Sequence, residues 1–177
     1  MHCWKSFNVD NKYLFYRRFF ISTMITLLVF ITLYVPLQSI ASVPLQENYF
    51  ITFLVAFILL YPIHKLCHLL PIINYYKFVK VKMNVYFYVL PIMNLKVKKP
   101  IQKYQFAIAL LFPFFLINSI LLLFALLMPQ YVHYATILLA YHIGLSSDDL
   151  FYAKSLLFSP RDALVEENEQ GYEILVE

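Results

Sequence analysis

Apolar residues in this chain gather in long uncharged runs broken by short charged stretches. From Phe19 to Leu37 there is no charged residue, and from Tyr104 to Met128 there is again none, with Pro113 inside the run. About 20 helical residues at about 1.5 Å each cross the hydrocarbon core of a bilayer, so each run predicts a transmembrane helix. A third segment, Tyr49 to Leu70, is apolar through Tyr61 and then meets Pro62, His64, Lys65 and His68. A fourth, Gln130 to Leu145, is shorter and contains His133 and His142. A backbone inside lipid must satisfy its own hydrogen bonds, so these stretches are expected as helices or as segments buried against helices. The expected fold is mainly α: a polytopic membrane protein with about four spans, over 19–37, 49–70, 104–128 and 130–145.

Composition supports this reading. The chain of 177 residues is 62% hydrophobic and 14% charged. A soluble domain is about 45 to 50% apolar, and a body of this length has no interior large enough to hide the excess. Orientation follows from the basic residues. Lys5, Lys12, Arg17 and Arg18 precede the first span, and Lys77, Lys80, Lys82, Lys96, Lys98, Lys99 and Lys103 lie between the second and third. The stretch from Gln38 to Asn48 has no Lys or Arg, nor does the turn around Pro129. The positive-inside rule therefore places both termini and the central loop in the cytoplasm of a multi-pass cell-membrane protein. The first span is too long, and too far from the N-terminus, to read as a cleavable signal peptide. Three parts result: a basic cytoplasmic arm over 1–18, a membrane domain over 19–158 with a cytoplasmic loop at 71–103, and an acidic cytoplasmic tail over 159–177.

Two places suggest strands. Tyr75 to Leu90 is rich in β-branched and aromatic residues that partly alternate with lysines, predicting a hairpin that turns near Met83–Asn84. It reads either as a small sheet at the membrane surface, its lysines meeting anionic headgroups, or as an ordinary positive-inside loop. In the tail, Ala163–Val165 and Tyr172–Val176 can pair as a last hairpin about Asn168 to Gly171, although a flexible acidic tail fits the same residues.

The candidate chemistry sits at Tyr61-Pro-Ile-His64-Lys65-Leu66-Cys67-His68. Two histidines four apart lie on one helix face, so both imidazoles can reach one metal. The same spacing occurs in the HExxH helix of metallopeptidases, whose glutamate is the general base. Here that position is Lys65, whose ammonium cannot take a proton. A second polar cluster, His142-Ile-Gly144-Leu-Ser146-Ser147-Asp148-Asp149, closes the fourth segment. In the expected topology both clusters reach the same membrane face, and polar groups at such depth need partners within the protein. The plainer readings are histidines hydrogen-bonding at the bilayer edge, and aspartates capping a short helix from about Leu150 to Phe158.

These residues resemble the bacterial putative zincin peptidase family, small membrane proteins distantly similar to site-2 proteases. The likeness runs from about Tyr49 to the end. It rests on His64, Lys65 and His68 with Leu69-Leu-Pro71 after them, on Gly144-Leu-Ser-Ser-Asp148-Asp149-Leu150, and on the tail motifs Ala163-Leu-Val-Glu166 and Gly171-Tyr-Glu-Ile174. The resemblance implies zinc as cofactor and His64, His68 and Asp149 as its ligands, with Asp148 the less favoured alternative to Asp149. Lys65 departs from the family pattern and removes the expected acid and base. No catalytic residue is therefore assigned.

Other roles are weighed beside these. Lys65 can pair with Asp148 or Asp149 and replace the metal by a salt bridge. Cys67 lies near the His64 face, but a buried free cysteine is usually a small apolar residue. His133 and His142 read as interfacial or inter-helix hydrogen-bonding groups, with His142 a reserve candidate for the site. Three functions remain: a pseudo-peptidase that binds a membrane protein or peptide without cutting it, an active metallopeptidase with an unconventional base such as Asp148, and a structural or transport protein. The lipid bilayer is the expected surrounding. With only Gly144 and Gly171 as glycines, no phosphate-cradling loop exists, so no nucleotide partner is expected. Topology accounts for the basic residues, so no nucleic acid is expected either.

Overall fold

The computed structural model describes residues 2–8, 12–41, 43–86, 90–97, 99–167 and 171–176. Five helices dominate: α1 Lys12–Ala41, α2 Phe50–Cys67, α3 Lys103–Leu127, α4 Val132–Leu145 and α5 Ser147–Leu157. Three of them, over Phe15–Ser39, Phe50–Cys67 and Lys103–Leu127, are long and apolar enough to cross a membrane. Their outer faces leave Ile31, Ile51, Ile58, Phe115 and Leu127 exposed. So extensive an apolar surface is foreign to a water-soluble monomer and suits lipid.

The fourth expected span is α4, only 14 residues long. At about 1.5 Å per residue it reaches roughly 21 Å. It is enclosed by its neighbours, with nine of its residues buried. On one side, Leu37 of α1 joins Val132, Ala135 and Ala125 in an apolar cluster. On the other, Leu138 packs with Leu60 and Cys67 of α2 and Ile117 of α3. Phe53 stacks on Tyr134 and Phe57 on Tyr141, with ring centroids 4.8 and 4.4 Å apart. α4 is thus the axis of the bundle.

A four-stranded antiparallel sheet in the order β1-β6-β5-β4 covers one end. Its strands are β1 His2–Asn8, β4 Ile101–Gln102, β5 Leu164–Glu167 and β6 Gly171–Val176. The tail hairpin forms, with Leu164 opposite Leu175 and Glu167 opposite Tyr172. β1 within the N-terminal arm was not anticipated; it pairs with β6 from His2↔Val176 to Asn8↔Gly171. Ile101, Val165, Tyr172 and Ile174 pack from the sheet onto Phe106 and Leu156 of α3 and α5. The buried Lys103 ties the start of α3 to this end, donating from Nζ to the Ser159 carbonyl oxygen at 2.7 Å. At the opposite end, the Gln46 amide donates to the Gln130 carbonyl at 3.1 Å, joining the α1–α2 and α3–α4 connections.

β2 Val79–Tyr86 and β3 Leu90–Val97 form a separate hairpin. Its turn is not at Met83–Asn84. The strands pair continuously from Val79↔Val97 to Tyr86↔Leu90, so Met83 and Asn84 lie within the ladder. No Asn-Gly or Asp-Gly pair pins a turn within the alternating stretch, and the pairing continues past Asn84 through Val85 and Tyr86. Asp148 and Asp149 also shift relative to expectation. They lie inside the first turn of α5, where the helix dipole favours negative charge, and Ser146 at the cap makes no capping bond.

Candidate metal centre

α2 ends with its polar face turned inward, and the turn from α4 to α5 at Ser146 carries the start of α5 against it. His64 is fully buried and Asp149 nearly so, although one belongs to α2 and the other lies 85 residues later. His64 Nε2 is 3.0 Å from Asp149 Oδ2, His68 Nε2 is 3.5 Å from the same oxygen, and the two Nε2 atoms are 3.2 Å apart. One atom from each of His64, His68 and Asp149 thus falls within a 4.8 Å cluster that could hold a metal ion. The donor set fits zinc, which takes imidazole nitrogen and carboxylate oxygen readily.

The outer ring nitrogens also have partners. His68 Nδ1 lies 2.8 Å from the Ala109 carbonyl oxygen of α3. His64 Nδ1 lies 3.0 Å from His142 Nε2, and His142 Nδ1 lies 2.7 Å from Asn118 Oδ1. His142, the reserve candidate, therefore stands behind His64, bonding between helices as expected. Cys67 is buried in the apolar cluster with Leu60, Ile117 and Leu138 and is outside the metal-ligating group. His133 does not make the inter-helix bond: among the described residues, neither of its ring nitrogens has a hydrogen-bond partner. Its ring lies 3.9 Å from that of Tyr134, at the far end of the bundle.

Electrostatics separate the two aspartates. Burial works against the charged form of Asp149, and the Lys65 ammonium is the strongest influence opposing it; the carboxyl is held well below its usual range. Burial pushes the Asp148 carboxyl up, with Arg18 pulling the other way. Asp148 faces Arg18 of α1, Oδ2 to Nη1 at 3.6 Å, and the same guanidinium donates to the Tyr152 hydroxyl. Among the described residues Lys65 forms no ion pair with either aspartate. The salt-bridge substitute for a metal is therefore not made.

Asn118, the Ala109 carbonyl and Arg18 were missed in the sequence. Asn118 had a readable signal, because it is an amide in the apolar middle of α3, and polar groups at membrane depth seek specific partners. Ala109 contributes through its backbone, which its identity does not announce.

No curated protein and no solved structure matches the chain. A family model described as putative zincin peptidase matches residues 57–164, which takes in the end of α2, all of α3, α4 and α5, and the start of β5. The match covers more than half of the 177 residues and includes His64, His68 and Asp149. The chain belongs to the putative zincin peptidase family.

Proposed function

We propose that this protein is a membrane-embedded zincin relative that holds zinc through His64, His68 and Asp149, has impaired peptidase activity, and acts by binding a membrane protein or peptide. The observation that carries this reading is the convergence of two imidazole nitrogens and a carboxylate oxygen, from α2 and α5, at one buried point. Zinc, when bound, supplies Lewis acidity toward a peptide carbonyl. Hydrolysis also needs a group that accepts a proton beside it. At the position of the zincin glutamate Lys65 carries a charge of the wrong sign, and Asp148, the alternative base, is engaged by Arg18. What these residues can still do is bind and orient a segment of a partner chain.

Four passes with both termini in the cytoplasm form part of the same proposal. The sheet unites the N-terminal strand, the strand before α3 and both tail strands, so these segments share one side of the bundle. That supports an even number of crossings. α4 makes the fourth despite its length, since a helix enclosed by other helices need not match the lipid thickness.

Metal analysis of the purified protein and cleavage of membrane peptides test the proposal. The expected result is about one zinc per chain, as three protein ligands would hold, with no cleavage by the wild type and a gain of cleavage in Lys65→Glu. Absence of zinc would overturn the metal site. Cleavage by the wild type that is lost in Asp148→Asn would instead favour an active enzyme using Asp148.

A further inference from the structure

Two hydrogen-bond chains lead outward from the imidazoles of the candidate centre, and both end on α3. Resting on the proposed metal site, we infer that α3 acts as the positioning helix of that site: a carbonyl released by Pro113 and the amide of Asn118 fix which nitrogen of each imidazole is bare.

The first chain begins with a missing donor. In an α-helix the carbonyl of residue i accepts from the N–H of residue i+4. Proline has no N–H, so Pro113 inside α3 leaves the Ala109 carbonyl without its helical partner. Ala109 is also buried, and an unpaired buried carbonyl is costly. His68 Nδ1, 2.8 Å away, supplies the bond. A carbonyl oxygen can only accept, so the proton of this ring sits on Nδ1. His68 Nε2 then faces Asp149 and His64 with a free lone pair.

The second chain is longer and has the same outcome. Asn118 turns its Oδ1, an acceptor, toward His142 Nδ1 at 2.7 Å, which places the His142 proton on Nδ1. His142 Nε2 is then bare and accepts from His64 Nδ1 at 3.0 Å. That leaves the His64 lone pair on Nε2, 3.2 Å from the equally bare Nε2 of His68. In this arrangement Asn118 Nδ2 is buried and, among the described residues, without a partner. Two lone pairs and a carboxylate oxygen facing one another repel unless a cation lies among them. Outer partners of this kind orient metal-binding histidines generally, and here one transmembrane helix provides both. Had the Asn118 amide the opposite orientation, each proton of the second chain would reverse and His64 Nε2 would be blocked.

Nitrogen NMR of the metal-free full chain in detergent, under conditions where the imidazoles are neutral, reads the protonated nitrogen of each ring. Zinc affinity by chelator competition is measured beside it. The wild type is expected to carry its protons on Nδ1 of His64, His68 and His142. In Pro113→Ala the restored N–H at position 113 competes for the Ala109 carbonyl, so His68 gains the Nε2-protonated form. In Asn118→Leu the same change appears at His142 and His64. Zinc affinity is expected to fall roughly 10- to 100-fold in each variant. Pro113→Ala also separates this role from simple damage, since removing a helix-interior proline strengthens the helix. Thermal stability without metal should therefore hold or rise while zinc binding falls. Nε2-protonated His68 or His142 in the wild type, or unchanged rings and affinity in both variants, would overturn the inference. A wild type that binds no zinc but shows the expected ring protons would overturn the metal reading and leave the role of α3 standing.

Discussion

Gly144 of α4 lies directly against Thr26 of α1: a Cβ added at Gly144 would fall 1.9 Å from Thr26 Oγ1 and 2.8 Å from the Ser22 carbonyl oxygen. The Ser22 hydroxyl closes the contact, donating to the Gly144 carbonyl at 2.7 Å. The two helices touch here through backbone, the close approach that small residues permit between membrane helices. Gly144→Val should force them apart, at a cost of about 1 to 3 kcal/mol for an overpacked contact. Thermal unfolding in detergent measures the loss. Adding Thr26→Ala should restore only part of it, because the Ser22 carbonyl is still in the way.

Removal of metal should destabilise the protein. A ligand at 1,000 times its dissociation constant stabilises the folded state by about 4 kcal/mol, so excess chelator is expected to lower the unfolding temperature of the wild type by several degrees. The same chelator should leave His64→Ala, His68→Ala and Asp149→Ala unmoved. A chelator-induced shift retained in all three variants would count against this ligand set.

Charge at position 65 should set metal affinity. Lys65 stabilises the Asp149 carboxylate and by the same charge repels a dication. Lys65→Gln is therefore expected to bind zinc more tightly than the wild type while the metal-free form loses stability. Competition titration and thermal unfolding without metal, run on the same samples, should move in opposite directions.

Arg18 joins α1 to α5 by facing Asp148 at 3.6 Å and donating to the Tyr152 hydroxyl. Asp148 is partly open to solvent, which weakens the charge pair, so Arg18→Ala should cost about 1 kcal/mol or less. Faster amide exchange in α5 than in α4 would locate that cost. Tyr152→Phe should reproduce only part of the effect.

Labelling tests the orientation. Cys3 is exposed on β1 and Cys67 is buried. In inside-out vesicles a membrane-impermeant maleimide should label Cys3, and in right-side-out cells it should not. A cysteine introduced at Val43, in the exposed connection after α1, should show the reverse. Labelling of both positions from one side would exclude the four-pass arrangement.

Much of this architecture is legible in the chain because its causes are local. Bilayer thickness turns uncharged runs into helices, and the i, i+4 spacing alone puts His64 and His68 on one face of α2. Asp149 was reached through the family likeness, and the structure brings its carboxylate to both imidazoles. The length of α4 was harder to read, since a run of apolar residues looks alike whether it faces lipid or lies inside a bundle. β1 escaped notice because its partner is β6, at the other end of the chain, and no local pattern encodes so distant a pairing.

The sequence by itself determined which segments leave water, which face of α2 carries its histidines, and that a lysine stands where a zincin keeps its base. Only the tertiary structure decided that α4 is the enclosed axis, that Arg18 engages Asp148, and that His68 and His142 turn to Ala109 and Asn118 on α3. The physical reason is that hydrophobicity and helical spacing act between neighbours in the chain, whereas a hydrogen-bond partner is fixed by the packing of helices far apart in sequence.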